Sequence, residues 1–460
     1  MKGYNQQAIQ NELAVTPAQV ITMSEDTEIT IELIENLISD HIGEVARCKA
    51  LYGMYKTESE ILLRPTKYEG KPNNKLPFPY PSYIVDMLTG MFVGNPVNYV
   101  VDESYKNEWN TIQQIFDIND EQDENMELAK LNGIMGRSYE IIYSDVDGNI
   151  LFNELNSENV IMVYDQNITP KRLFAIHYTG QDDDLIVNVF TRDRRYTYKG
   201  TPLMLDKEEI HSLGQVQILE VVNNNERLGD FERVMPLIDA YNKAMSDTAN
   251  DLEEFTDSLL VLTGMANTDD KDIGQIREDG IILLRDGTTQ NASWLTKVMN
   301  TEALENYLTR LDDDIHRFTK VPNLSDEKFA GNSSGVALAY KLLALQQAIS
   351  SKERKFKRFL QDRIELILSY ARLLNKPVGD LEYFDIDIVF NPNIPVDEKA
   401  NVEMVTILSK LVSQSTALSK LWFMEDVNAE LKSMEEEDDI RLAAIEKQLT
   451  DMDEEVVIDE

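Results

Sequence analysis

A long stretch without a helix breaker constrains this fold more than any other part of the sequence. Val336 to Leu374 contains neither proline nor glycine. Its apolar side chains recur at near-heptad spacing, which predicts one continuous helix: Leu342, Leu345, Ile349, Phe356, Leu360, Ile364, Ile367, Ala371 and Leu374. At about 1.5 Å per residue this helix would be roughly 55 to 60 Å long. A helix of that length is expected to cross between subdomains or to span a large assembly.

A second helix and a loop are predicted immediately before the long helix. Thr301 to Phe318 places apolar residues on one face and acidic residues on the other, as in an amphipathic helix. Val321 to Ser334 then breaks the helical pattern at Pro322 and Gly331. The order is therefore helix, irregular loop and long helix.

Another helix, Pro236 to Asp257, is predicted upstream. Short β-like runs and a polar segment separate it from Thr301. Two helices thus flank a small β-containing insertion, and such a pair can lie side by side with the insertion at its tip.

The middle of the chain changes from helical to alternating patterns. Tyr139 to Asn156 predicts a hairpin that turns at Asp147 and Gly148, and further strand-like runs extend to about residue 199. Helices are predicted on both sides of this β-rich region, so the fold class is α+β.

The chain is strongly acidic, with a formal net charge of −38 over 460 residues. This charge argues against reading of DNA sequence by a basic surface, because such binding depends on neutralising phosphates. Two interpretations remain open. The acidic surface could let a polyanion slide past without sticking, or it could serve only solubility.

Several chemical classes find no support in the sequence. No apolar stretch is long enough for a membrane span and the N-terminus lacks a signal-peptide core, so we expect a soluble protein without a membrane partner. The single cysteine, Cys48, excludes an intrachain disulfide and is expected to be a small buried residue. No cofactor is predicted, because the four histidines are scattered and form no metal-binding motif. A nuclease built from distant carboxylates remains the enzymatic alternative.

One basic run interrupts the acidic pattern within the long helix. Its charges could pair with acidic neighbouring subunits or helices, or they could face phosphates; we favour pairing because charge runs are usually solvated or paired. The expected subunit-contact residues are Lys352, Arg354, Lys355, Lys357, Arg358 and Arg363.

Three blocks of sequence together resemble the portal proteins of tailed bacteriophages, in the family typical of phages of Gram-positive hosts. KPNNKLPFPYPSYIVDMLTGMFVGNPVNY (Lys71 to Tyr99) resembles a turn, helix and strand entry of that family. PLIDAYNKAMSDTANDLEEFTDSLLVLTG (Pro236 to Gly264) is similar to its first stem helix. SSGVALAYKLLALQQAISSKERKFKRFLQDRIELI (Ser333 to Ile367) is similar to the long helix after the tunnel loop. The resemblance covers roughly residues 30 to 400 in unchanged order.

The resemblance implies a non-enzymatic ring of twelve identical subunits at one capsid vertex of the virion, assembled in the host cytoplasm. Double-stranded DNA would pass through its channel without sequence preference. The implied partners are terminase, head-to-tail connector or adaptor proteins, and the major capsid and scaffolding proteins. Another structural head protein, such as a minor capsid or adaptor component, is the alternative.

The resemblance also implies a division of the chain into portal-like parts. These are a flexible arm (1–29), the first, β-rich part of a wing (30–234), a stem helix (235–257), a small α/β clip (258–300), a second stem helix (301–320), a tunnel loop (321–334), the long wing helix with a strand (335–396) and a helical crown with an acidic tail (397–460).

Two groups of site residues follow from this division. The tunnel loop, expected to meet DNA, comprises Asn323, Leu324, Ser325, Asp326, Glu327, Lys328, Phe329, Ala330, Gly331 and Asn332. The clip residues expected to dock terminase or the connector are Asn267, Asp269, Asp270, Lys271, Asp272, Gln275 and Arg277.

Overall fold

A computed structural model of the chain describes residues 20–66, 71–255, 259–263, 291–295, 301–324, 335–391, 393, 398–418, 420–421, 427 and 430–442. Helices and strands lie largely in separate stretches of these residues, as in an α+β fold. The helices are α1 (Ile31–Tyr55), α2 (Tyr80–Phe92), α3 (Lys106–Ile118), α4 (Glu121–Met135), α5 (Met235–Phe255), α6 (Thr301–Thr319), α7 (Gly335–Leu373), α8 (Glu398–Leu408) and α9 (Gln414–Leu418). Residues 430–442 are also helical.

The strands are short and most lie between α4 and α5. They are β1 (Ile21–Met23), β2 (Asn98–Val101), β3 (Arg137–Ser144), β4 (Ile150–Leu155), β5 (Val160–Asp165), β6 (Arg172–Thr179), β7 (Ile186–Phe190), β8 (Arg194–Lys199), β9 (Met204–Ile210), β10 (Ile218–Val222), β11 (Leu259–Thr263), β12 (Asn291–Leu295) and β13 (Ile386–Val389).

The chain divides into two compact units. The larger unit comprises Met1–Tyr52, Tyr83–Glu232 and Lys320–Glu460, and the smaller comprises Gly53–Ser82 and Arg233–Thr319. The resemblance leads one to expect a wing that runs without interruption through 30–234. The structure differs, because it groups residues 53–82 with the helices α5 and α6.

A six-stranded sheet in the order β1-β5-β6-β7-β8-β9 forms part of the core of the larger unit. Side chains alternate between its two faces, as successive residues of a strand must. Ile161 and Val163 of β5 pack with Ile34 and Leu37 of α1 on one face. Val160 and Met162 of the same strand pack on the other face, against Tyr139 of β3 and other residues. Both faces of β5 are therefore buried.

The N-terminal strand of this sheet corrects the expectation of a flexible arm through residue 29. Ile21, Thr22 and Met23 pair in parallel with Val163 to Asp165. Residues 1–19 lie outside the described part of the chain.

The predicted hairpin is confirmed by the second sheet, in the order β10-β3-β4. β3 and β4 pair in antiparallel register from Tyr139–Leu155 to Ser144–Ile150. At the turn, the Asp145 carboxylate accepts the backbone N–H groups of Asp147 (2.9 Å) and Asn149 (2.8 Å). Gly148 has φ +79°, a conformation that favours glycine.

The long helix α7 is confirmed and extends over 39 residues. Its predicted apolar stripe is buried from Leu342 to Ala371, and Leu360, Ile364 and Ile367 have no solvent exposure. Cys48 of α1 is likewise buried, as expected. The hydrophobic period of the sequence was thus sufficient to place this helix against a core.

In the smaller unit an extended segment runs along helix α5. Backbone N–H groups of Asn74, Leu76 and Phe78 donate to side-chain oxygens of Asn250 (2.6 Å), Ser246 (3.0 Å) and Asn242 (2.9 Å). Two residues of extended chain advance about 6.6 Å and four residues of helix about 6.0 Å, so every second residue of the segment meets every fourth residue of the helix. This match explains the asparagine-rich and proline-rich sequence KPNNKLPFPYPSY.

This segment also changes which face of α5 is buried. The apolar spacing predicts a face that includes Leu237, Tyr241 and Leu252, but Leu252 is exposed. The buried residues are instead Ile238, Asn242 and Ser246, a stripe at four-residue spacing. Polar side chains occupy that stripe because they accept the backbone hydrogen bonds of the extended segment.

Candidate functional site

The start of the expected tunnel loop is fixed to the larger unit by a tyrosine. Helix α6 ends at Thr319, and Lys320 then takes a left-handed conformation with φ +63°. The next residue, Val321, is 1% exposed. The Tyr83 hydroxyl donates to the Pro322 carbonyl (2.9 Å) and accepts the Leu324 N–H (3.4 Å). Residues 321–324 are therefore anchored to the larger unit.

Most of the predicted loop and clip residues lie outside the described residues. Asn323 and Leu324 are described, whereas Ser325 to Asn332 are not. The clip residues Asn267 to Arg277 are also outside, although the strands that flank them, β11 and β12, pair in antiparallel register. The functional roles expected for these residues remain predictions.

Removing the Tyr83 hydroxyl should loosen the loop entry. Tyr83→Phe leaves the Pro322 carbonyl without its donor, at a cost of about 1 kcal/mol. This corresponds to about fivefold more of the form in which residues 321–324 are detached from Tyr83, and we expect tryptic cleavage after Lys320 to accelerate by a similar factor in limited proteolysis.

Tyr143→Phe is the matched control, because the Tyr143 hydroxyl bonds an exposed partner, Asn153, at 3.3 Å. Equal cleavage rates in both variants and the unmodified chain would contradict an anchoring role for Tyr83.

The basic run of α7 contains half-buried lysines with partners inside the larger unit, two exposed arginines and the buried Arg363. Lys352 Nζ lies 2.7 Å from both Asp230 Oδ2 and Asn223 Oδ1. Lys355 donates to Asn225 (2.6 Å), and Lys357 donates to the Ile388 carbonyl (3.1 Å). Arg354 and Arg358 are exposed, and Arg358 pairs with Asp362 of the same helix at 2.9 Å. Pairing was the favoured interpretation, and for Lys352, Lys355 and Lys357 the partners belong to the same subunit.

Arg363 is the clearest correction within this run. Its side chain has no solvent exposure, so it cannot reach another subunit. Its Nε and Nη2 donate to the two Glu140 carboxylate oxygens at 2.9 and 2.6 Å, a bidentate pair. The rings of Phe152 and Phe359 lie 4.7 and 4.8 Å from its guanidinium carbon. Arg363 is a buried structural ion of the larger unit.

Further polar groups complete the surroundings of Arg363. Its Nη1 donates to Asn125 Oδ1 (2.6 Å) and lies 3.3 Å from a Glu121 oxygen. Glu121 in turn accepts the hydroxyl of Tyr99. Burial, reinforced by Glu140 and Glu154, raises the pKa of Glu124 to about 8. Burial therefore favours the neutral form of this carboxyl.

Sequence reasoning missed Tyr83 and the partners of Arg363. Tyr83 lies inside the first resembling block, so the block itself carried a signal for it. Glu121, Asn125 and Glu140 carried none, because they lie more than 220 residues from Arg363 along the chain.

The described residues present no metal centre and no membrane span. In that part of the chain no three histidine, cysteine or carboxylate side chains form a group that could hold a metal ion. Among the described helices, none combines the length and apolar content needed to cross a bilayer.

The sequence was compared with known proteins and families. It matches the family "Phage portal protein, SPP1 Gp6-like" over residues 34–441. It is 23% identical to the portal protein of Bacillus phage SPP1, over 93% of this chain and 89% of that protein. It is 21% identical to the portal protein of Clostridium phage phiCD119, over 64% of this chain and 68% of that protein.

Among solved structures, the chain is similar to one titled "Neck of empty GTA particle computed with C6 symmetry". The TM-score is 0.47 with 12% identity, covering 80% of this chain and 93% of that chain. The family match extends through all three resembling blocks and across both compact units. The chain is therefore a member of the SPP1-type phage portal protein family.

Proposed function

We propose that this chain is the portal subunit of a tailed bacteriophage and forms a ring at the unique vertex of the capsid. The observation that carries this proposal is the family match over residues 34–441. The ring is a structural, non-enzymatic conduit through which double-stranded DNA enters during packaging and leaves during ejection. We adopt twelve subunits as the expected ring number.

The assignment of parts follows the same proposal. Helices α5 and α6 form the stem, residues 258–300 the clip, residues 321–334 the tunnel loop and residues after 397 the crown. The clip docks terminase during packaging and the head-to-tail connector afterwards. The major capsid and scaffolding proteins surround the ring during assembly in the host cytoplasm.

The charge of the chain supports passage of DNA without capture. With a net charge of −38, the subunit as a whole repels phosphates. The loop residues Asp326, Glu327 and Lys328 carry charges of both signs, and contacts to phosphates convey no base sequence. DNA of any sequence can therefore pass.

The proposal is tested by assembling procapsids from the phage's capsid and scaffolding proteins with and without this chain. We expect electron microscopy to show a ring with a central hole at one vertex only when the chain is present, and DNA packaging by terminase only in those particles. Labelling of the chain away from a single vertex would favour a minor capsid or adaptor role. Cleavage of DNA by the purified chain, dependent on a divalent cation, would favour the nuclease alternative.

A further inference from the structure

A small basic and aromatic surface stands out on the larger unit. Arg354 and Arg358 lie four residues apart on α7 and so share a face of the helix. The Arg358 guanidinium lies 6.0 Å from the centre of the Tyr383 ring, and the Tyr383 and Phe384 rings are 5.5 Å apart. We call these four residues the arginine-aromatic patch.

The patch is exposed to solvent although two of its four residues are aromatic. The Phe384 residue is 67% exposed and the Arg358 side chain 62% exposed. Tyrosine, phenylalanine and arginine are enriched in protein interfaces because they offer large contact areas with a polar or charged group attached. The composition thus fits a docking surface.

Two carboxylates close to the patch also pair with other arginines, and Glu353 interacts electrostatically with Arg354. Asp362, which pairs with Arg358 at 2.9 Å, also pairs with Arg172 at 2.8 Å, so one carboxylate serves two guanidinium groups. Glu382 pairs with Arg372 at 3.0 Å. Arg354 and Arg358 thus present two exposed guanidinium groups on a chain that is otherwise strongly acidic.

The same chain carries a complementary element in the helix at 430–442. Five consecutive acidic residues, Glu435 to Asp439, are all exposed. Ile440 and Leu442 follow them and are also exposed, so the helix offers apolar contact area beside its negative charge. Acidic residues can face the arginines while an aliphatic side chain covers Phe384.

We propose that the acidic helix of one subunit docks on the arginine-aromatic patch of its neighbour in the ring. A ring is closed by a heterologous interface, in which two different surfaces of the same chain meet. The patch and the acidic helix are such a pair, complementary in charge. This inference rests on the proposed ring and names one of its interfaces; of the basic run, only Arg354 and Arg358 take part.

The test is a charge exchange. One variant carries Arg354→Glu and Arg358→Glu, a second carries Glu436→Arg and Glu437→Arg, and a third carries all four changes. Like charges facing each other disfavour association strongly, so we expect each double variant to raise the concentration for half-assembly at least about tenfold. The fourfold variant should recover most of that loss.

Assembly is measured by native mass spectrometry of the purified chain and by counting portal subunits in procapsids. Thermal unfolding of the monomer checks that each variant folds. Lys199→Glu with Lys207→Glu is the matched control, because both lysines are exposed and lie on the separate strands β8 and β9.

The outcomes separate this inference from the proposed function. If the unmodified chain and both double variants form rings equally well, the docking inference is overturned and the portal function is left intact. An equal loss in the lysine control, or no recovery in the fourfold variant, also overturns it. Absence of rings from the unmodified chain in both assays would count against the proposed function itself.

Discussion

Replacement of Arg363 by alanine should lower the free energy of unfolding of the larger unit by about 3 to 5 kcal/mol. The reason is that the substitution leaves the Glu140 carboxylate fully buried without its bidentate partner. It also leaves Asn125 Oδ1 without its donor and removes the guanidinium between the Phe152 and Phe359 rings. Urea unfolding of the isolated subunit, followed by circular dichroism, measures the loss.

Arg358→Ala is the matched control for this prediction. Arg358 also pairs with a carboxylate on the same helix, but its side chain is exposed and its ion pair should contribute no more than about 1 kcal/mol. Replacing both buried partners, with Arg363→Met and Glu140→Leu, should recover part of the stability because no unpaired charge then remains in that pair. Similar stability in Arg363→Ala and Arg358→Ala would contradict the structural role of Arg363.

Deletion of Ser325 to Ala330 should leave ring assembly intact and reduce DNA-filled particles to near background. The deletion removes the centre of the proposed tunnel loop but retains Val321, Pro322 and Leu324, which the larger unit holds. Ring formation is scored by electron microscopy of procapsids. Packaging is scored by the fraction of DNA protected from added nuclease.

A replacement of the same six residues by alternating glycine and serine is the length-matched control. It distinguishes loss of the loop side chains from a shortened connection between α6 and α7. Normal packaging by the deletion variant would remove the loop from the mechanism. Failure of the ring to assemble would assign the loop to assembly instead.

The sequence predicted the buried face of helix α7 correctly but not that of helix α5. The stripe from Leu342 to Ala371 is almost wholly apolar, so period alone identified its buried face. On α5 the buried residues Asn242 and Ser246 are polar, and hydropathy pointed to a different face. Burial there depends on hydrogen bonds to Leu76 and Phe78, more than 160 residues away. No local pattern encodes that pairing.

The basic run of α7 shows the same limit for charge. The six cations of this run predicted pairing, and five of them make ion pairs or hydrogen bonds within the larger unit: Lys352, Lys355, Lys357, Arg358 and Arg363. The sequence did not distinguish Arg363, which is buried, from Arg358, which faces solvent five residues earlier. Burial of an arginine requires carboxylates at the right distance, and these come from α4 and β3.

The sequence by itself determined the α+β class, the long helix, and the order of helix, loop and long helix, because hydrophobic period is a local property of the chain. It also determined the family, because the three resembling blocks can be read directly from the sequence. Only the tertiary structure decided that residues 53–82 group with α5 and α6, that Tyr83 anchors the loop entry and that Arg363 is an internal ion. Each of these depends on groups that are distant in the chain. They come together in the folded protein because buried backbone groups and buried charges require hydrogen-bonding or charged partners.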